Sequence, residues 1–298
     1  MTAVGQDFYI ELEGLTFHLL DYRGNGRDLL LLHGLASNAR FWELAAPYLA
    51  KEFRVLALDQ RGHGASSKPD NGYDFQTVSA DVASIVNALG LERPILVGHS
   101  WGGNVGMQVA ADYPGLLAGL VCIDGGTIEP SAAIGATWEE TEKALAPPDF
   151  AAMHLDWDVF LERAKTRGRG ALWGDHLEMF YRANFEVQPD GTVLPRLRRE
   201  LHLLIVRALW EQGVSNLYSK ITCPVLIMPA RRDEETFPSP GDKATKEAQV
   251  EYALKGLTNA RLIWMEDSIH DVPIQRPAEV AQAIRTAEKE GFFATPEA

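Results

Sequence analysis

Six short apolar runs, residues 29–32, 53–58, 94–97, 117–123, 225–228 and 261–265, recur along this chain, rich in Leu, Val and Ile. Between most of them lie longer stretches with helical spacing, such as residues 38–50, 75–89, 101–113 and 277–290. A strand that reads as an unbroken apolar run is buried on both faces, and strands alternating with helices build a parallel sheet covered on both sides. The expected class is therefore α/β, with a mostly parallel, doubly wound sheet. The earlier runs "FYIELEG" and "LTFHLLDYRG" alternate polar and apolar residues across Gly14. They predict an antiparallel hairpin at the sheet edge.

The alternation breaks once. Residues 127–216 show no convincing strand, yet they hold Trp138, Trp157, Trp173 and Trp210, four of the seven tryptophans. This predicts a helical insertion between two strands of one sheet. Residues 1–126 and 217–298 would then form the core domain and 127–216 a cap. A chain of 298 residues is long enough to bury a full core. Its net charge of -13 argues against a nucleic-acid partner, since a phosphate-binding surface needs clustered Lys and Arg. Cys122 and Cys223 lie in or beside apolar runs and read as small buried hydrophobes, not as a disulfide framework or metal ligands. The N-terminal stretch lacks a signal-peptide pattern, and no run approaches the roughly 18 apolar residues of a membrane helix. A cytoplasmic monomer or homodimer with no membrane partner is expected.

Gly98, Ser100 and Gly102 form G-x-S-x-G between an apolar run and a helical pattern. There the chain must turn from strand to helix within one residue, which forces a strained backbone and lifts the serine side chain over the sheet edge. Neighbours two positions away must be small. A tight turn with Ser100 as helix cap is the plainer alternative. A dinucleotide loop does not fit, because Ser100 occupies the second glycine position of G-x-G-x-x-G, and no cofactor or metal is expected. A serine nucleophile needs a base. Of eight histidines, His270 follows the last strand-like run at the sheet edge where Ser100 lies, whereas His33, His63 and His99 sit in tight turns and suit structural roles. The carboxylate that orients His270 is expected to be Asp233, the first acid after residues 225–230, with Asp124, at the end of "LVCID", as the rival. Asp59 is expected to anchor its own loop. The backbone N–H groups of Leu35 and Trp101 are the candidate oxyanion donors. The side chains of Trp101, Leu35, Trp157, Trp173 and Met179 are candidates for the substrate pocket.

With "LLHGLASNARFW", "LDQRGHGASSKP" and "VGHSWGGN", these residues resemble the α/β-hydrolase superfamily. The resemblance implies the α/β-hydrolase fold with an inserted helical cap, and a Ser–His–Asp triad without a cofactor. It points to a serine hydrolase cleaving small to medium carboxylic esters through an acyl-enzyme. The same triad supports C–C bond hydrolysis of ring-cleavage products and lactone opening, for which Arg40, Arg182 or Asn104 could hold a substrate carboxylate. A ligand receptor of the same fold is the non-enzymatic alternative. Trp101 after the nucleophile is a feature of epoxide hydrolases and haloalkane dehalogenases, but their nucleophile is an aspartate that forms an alkyl ester, and here the position is serine.

Overall fold

The computed structural model describes residues 5–132, 137–166, 172–232 and 242–294. Its strands up to the insertion are β1 (Gln6–Leu12), β2 (Leu15–Arg23), β3 (Asp28–Leu32), β4 (Arg54–Leu58), β5 (Ile95–His99) and β6 (Gly119–Ile123). A separate hairpin pairs β7 (Phe185–Val187) with β8 (Val193–Pro195), and β9 (Val225–Met228) and β10 (Ala260–Leu262) complete the main sheet. That sheet has eight strands in the order β1-β2-β4-β3-β5-β6-β9-β10. β1, β2 and β4 are joined antiparallel, and every pairing from β4 to β10 is parallel.

The helices are α1 (Ala46–Leu49), α2 (Phe75–Ala88), α3 (Trp101–Asp112), α4 (Trp138–Leu145), α5 (Phe150–Met153) and α6 (Trp157–Thr166). After them come α7 (Asp175–Asn184), α8 (Arg199–Glu211), α9 (Asp242–Gly256), α10 (Val272–Gln275) and α11 (Pro277–Lys289). The central strands read as continuous apolar runs because both faces are covered. Leu30 and Leu32 of β3 join one buried cluster with Val78 and Val82 of α2, while Leu29 and Leu31 join the other with Leu49 of α1 and Ile284 of α11.

Two expectations give way. Residues 38–50 form a short 3₁₀ turn (Ala39–Trp42) and then α1, not one helix. Pro47 accounts for the break, since it lacks an N–H and its ring clashes with the carbonyl four residues back. The segment between β6 and β9 is not purely helical, because it holds the β7–β8 hairpin. Its turn is built by Asp190, whose carboxylate accepts from Thr192 N–H and hydroxyl (3.0 and 2.6 Å), and by Gly191 at φ 86°. That segment is packed onto the sheet domain as well as onto itself. Leu177 and Phe180 of α7 join one sheet cluster and Leu201 and Ile205 of α8 the other. Among the described residues, no helix is long and apolar enough to cross a membrane.

Candidate active site

The strand order positions the site. The chain runs from β3 to β4 on one side and then crosses back to β5 on the other. The loops leaving β3 and β5 therefore diverge at their carboxyl ends, and a crevice opens at this switch point. The β3 loop begins His33-Gly34-Leu35, and the β5 loop is Ser100 alone. Ser100 takes φ 53° and ψ -124°, a conformation that strains any residue with a side chain. Its N–H donates to Ile123 O (3.0 Å), and α3 starts at the next residue.

The glycines are required by close approach. A Cβ at Gly102 would lie 2.5 Å from His33 O and 2.7 Å from Leu32 O, and one at Gly98 would strike the Gly102 carbonyl. The absent side chains let β3, β5 and the first turn of α3 converge. Gly34 is also packed against the serine, its Cβ position 3.1 Å from Ser100 Cβ. The Leu35 amide follows directly. Trp101 is the first residue of α3, so its N–H is one of the amides a helix leaves without an internal acceptor.

Two neutral histidines fasten the β3 loop. His33 donates from Nδ1 to Gly34 O (2.7 Å) and accepts at Nε2 from Gln60 N–H (3.1 Å). His63 accepts at Nε2 from Ala36 N–H (3.2 Å), and its Nδ1 faces Arg61 O at 2.9 Å. Burial holds both imidazoles below their ordinary titration range, His63 well below. Asp59 reaches its own loop through Ala65 N–H (2.8 Å) and the loop after β3 through Ala39 N–H (2.6 Å). Burial opposes its charge, yet the hydrogen bond and charge of His18, with the Ala39 N–H, bring its carboxyl down to about 2.

His270 lies in the loop before α10. Its Nδ1 is 2.6 Å from Oδ2 of Asp124, the residue that follows β6. The other oxygen, Oδ1, accepts from Ala230 N–H (2.9 Å) and Lys246 Nζ of α9 (2.8 Å). Burial works against the charge of Asp124, but the His270 hydrogen bond and the Lys246 ammonium outweigh it and hold the carboxyl well below the usual carboxylate range. Gly125 admits this arrangement, since a Cβ there would run into the Ser100 backbone. His99 donates from Nε2 to His270 O (2.8 Å) and stacks on Phe41. Burial pushes its imidazole down to about 3.

The sequence-predicted residues thus separate. Ser100, the backbone around Leu35, Trp101, His270 and the rival acid Asp124 gather at one sheet edge. Asp233, the favoured acid, lies outside the described residues, and the carboxylate found at His270 Nδ1 is Asp124. Leu35 is half-buried against the core. The Trp101 ring does not open onto a surface: it is 2% exposed and stacks on His63 at 5.4 Å. Trp173 stacks on Tyr181, and Met179 is exposed. Trp157 lines a cavity of about 410 Å³ with Arg182, Phe185, Gln188 and Arg196, and neither Ser100 nor His270 is part of its wall. Asn104 is spent on Ile128 O, Gln212 and Gly126 N–H, and Arg40 pairs with Asp7. Of the three proposed carboxylate holders, Arg182 alone lines that cavity.

Sequence reasoning missed three contributors. Lys246 was not singled out. Asn38 and Asn184 were not singled out, yet Asn38 Nδ2 donates to Asn184 Oδ1 (2.8 Å) and Phe180 O (3.0 Å), and Asn184 Nδ2 donates to Ala36 O (3.3 Å). Together they tie α7 to the β3 loop.

Comparison with known proteins agrees with this fold. A family model described as alpha/beta hydrolase fold matches residues 29–185. The chain is 39% identical over 210 residues to the 2-(acetamidomethylene)succinate hydrolase of Mesorhizobium japonicum, covering 69% of this chain and 71% of that one. Among solved structures, E-2-(acetamidomethylene)succinate hydrolase superposes with a TM-score of 0.76 at 24% identity, covering 96% of this chain and 99% of that one. The enol-lactonase of Burkholderia xenovorans LB400 superposes at 0.66 and 18% identity, covering 95% of this chain and all of that one. The chain belongs to the α/β-hydrolase fold family.

Proposed function

We propose that this hydrolase works through an acyl-enzyme on Ser100, with His270 as base and Asp124 as the acid that orients it. The observation that carries this reading is the 2.6 Å contact between His270 Nδ1 and Asp124 Oδ2, beside a serine held in a strained elbow. A carboxylate on Nδ1 leaves Nε2 as the nitrogen free to take the Ser100 proton. Ser100 Oγ attacks a carbonyl carbon, and the Leu35 and Trp101 amides receive the oxyanion. His270 then passes the proton to the departing group, and a water activated by the same imidazole cleaves the acyl-enzyme. The segment of residues 127–216 acts as the cap, with α7 seated against the β3 loop.

The substrate class we infer is a small acyl compound whose departing group is a stabilised enamide nitrogen, enol oxygen or carbon, rather than a plain alkyl ester. Support comes from the relatives' chemistry, an acetamidomethylene compound and an enol-lactone. Opening of an epoxide does not suit the site, since attack by serine would leave an ether with no carbonyl for water to strike. The test is a panel of enol-lactones, N-acyl enamines, vinylogous diketones and p-nitrophenyl alkanoates, with Ser100→Ala as blank. Serine-dependent kcat/KM at least tenfold higher on the first three classes is expected. Higher values on p-nitrophenyl alkanoates would return the reading to a carboxylesterase, and no serine-dependent turnover on any class would overturn it.

A further inference from the structure

Among the described residues, Lys246 is the charged side chain touching the proposed acid that the reaction as described leaves without a task. Its Nζ lies 2.8 Å from Asp124 Oδ1 and 3.2 Å from Ala230 O. Its side chain is 38% exposed, whereas that of Asp124 is 4% exposed. The Ala230 N–H already satisfies Oδ1, so the lysine is not needed to rescue an orphaned oxygen. What it adds is a positive charge one carboxylate away from the base. A buried carboxylate that bears its whole charge against an imidazole favours the imidazolium, which cannot accept a proton from serine. An ammonium sharing that carboxylate weakens this pull while keeping Oδ2 turned toward the ring.

We propose that Lys246 is a positioning residue of this site, holding Asp124 in register with His270 and offsetting its charge so that the base stays unprotonated to lower pH. The proposal rests on the Ser100–His270–Asp124 reading. Among the described residues, three other charged or titratable groups lie around the pair. His99 of β5 is neutral and bonded to the His270 carbonyl, and Asp271 adjoins His270 in its own loop. Arg231 after β9 is engaged by Glu247 and Glu266 and lies over the Trp264 ring.

The experiment needs no natural substrate. Ser100 is labelled covalently by a fluorophosphonate between pH 5 and 9 in the wild type, Lys246→Met and Lys246→Arg, with folding checked by circular dichroism. In Lys246→Met the acid limb of the rate profile should move up by about 0.5–1 pH unit, the order expected of one charge at this remove. The loss of rate should be largest at the acid end and smallest at pH 9. Lys246→Arg should keep the limb in place. An unmoved limb in Lys246→Met, a uniform loss at every pH, or equal shifts in both variants overturns the proposal. If Lys246→Met does not fold, Lys246→Gln makes the same change of charge with a polar side chain. Failure of the wild type to label at Ser100 would refute the catalytic reading instead. The upward shift is then sought in the His270 ring titration by NMR, where its absence refutes the role of Lys246.

Discussion

Replacing Asp124 by asparagine tests the site most directly, because the hydrogen bonds dictate which way the amide must face. Oδ1 receives two donors, Ala230 N–H and Lys246 Nζ, so the amide oxygen of Asp124→Asn has to take that place. Its NH₂ then points at His270 Nδ1 across what is now a 2.6 Å contact. A donor facing Nδ1 selects the tautomer with the proton on Nε2, which cannot accept from Ser100. Restoring the productive tautomer means leaving donors unpaired, at about 1–3 kcal/mol for each buried bond unmade. Losing the charge that stabilises the imidazolium adds about 1.5–3 kcal/mol. With one such bond unmade the sum, about 2.5–6 kcal/mol, corresponds to a kcat loss of roughly 10²–10⁴-fold. Its upper end matches the roughly 10⁴-fold loss when the acid of a serine-protease triad becomes its amide. The assay is steady-state turnover of the best compound from the panel, with thermal melting to confirm an intact fold. Activity within tenfold of wild type would refute the assignment, and a collapse in Asp233→Asn instead would move the acid to that residue.

Two further outcomes follow from the geometry. Gly102→Ala should lower stability by about 2–4 kcal/mol, because its Cβ meets two backbone carbonyl oxygens that cannot rotate away; a melting temperature within about 1 °C of wild type would contradict the packing described. Acid should destabilise the protein before its carboxylates titrate. His33, His63 and His99 are held neutral by burial, so their folded values lie below the unfolded value of about 6.5, and their contribution is whole above that pH and lost as pH falls from there toward the folded values. Each costs at most about 2 kcal/mol by pH 5. His18 opposes this trend: burial disfavours its charge, but Asp59 and Asp7 outweigh that and raise it. Urea midpoints measured from pH 8 to 5 should therefore fall below about pH 6.5, and a flat or rising midpoint would contradict the prediction.

Much of the fold was legible because burial on both faces of a parallel strand leaves an unmistakable apolar run. Ser100 was legible for a mechanical reason, since only small neighbours permit its turn, and His270 because it follows the last strand. The proposed acid was harder. Asp124 and Asp233 both follow a strand, and the choice depends on lateral distance across a sheet whose order, β5-β6-β9, is not written locally. Gly125-Gly126 after Asp124 was the available clue, a backbone stripped to pass beside the nucleophile. The same limit hid Lys246, because a lysine on a polar helix looks like solvent-facing charge until the helix is docked. The β7–β8 hairpin escaped because its strands are three residues each, although Asp190-Gly191 is a turn signal. Residues 38–50 misled because apolar spacing was weighed without Pro47.

The ladder bond from Ser100 N–H to Ile123 O links the proposed nucleophile to the residue just before Asp124, and it makes no use of residues 127–216. The proposed attack and proton relay are thereby insured against remodelling of the insertion, which can lengthen, shorten or change its aromatic lining while Ser100 and Asp124 keep their alignment. The exceptions are the β3 loop, which leans on Asn184 through Asn38 and Ala36, and α3, whose Asn104 bonds to Ile128 O and Gln212. A descendant or a laboratory chimera that exchanges the insertion would inherit the proposed nucleophile and acid ready-made, and would have to reinvent the asparagine clasps at the β3 loop and at α3.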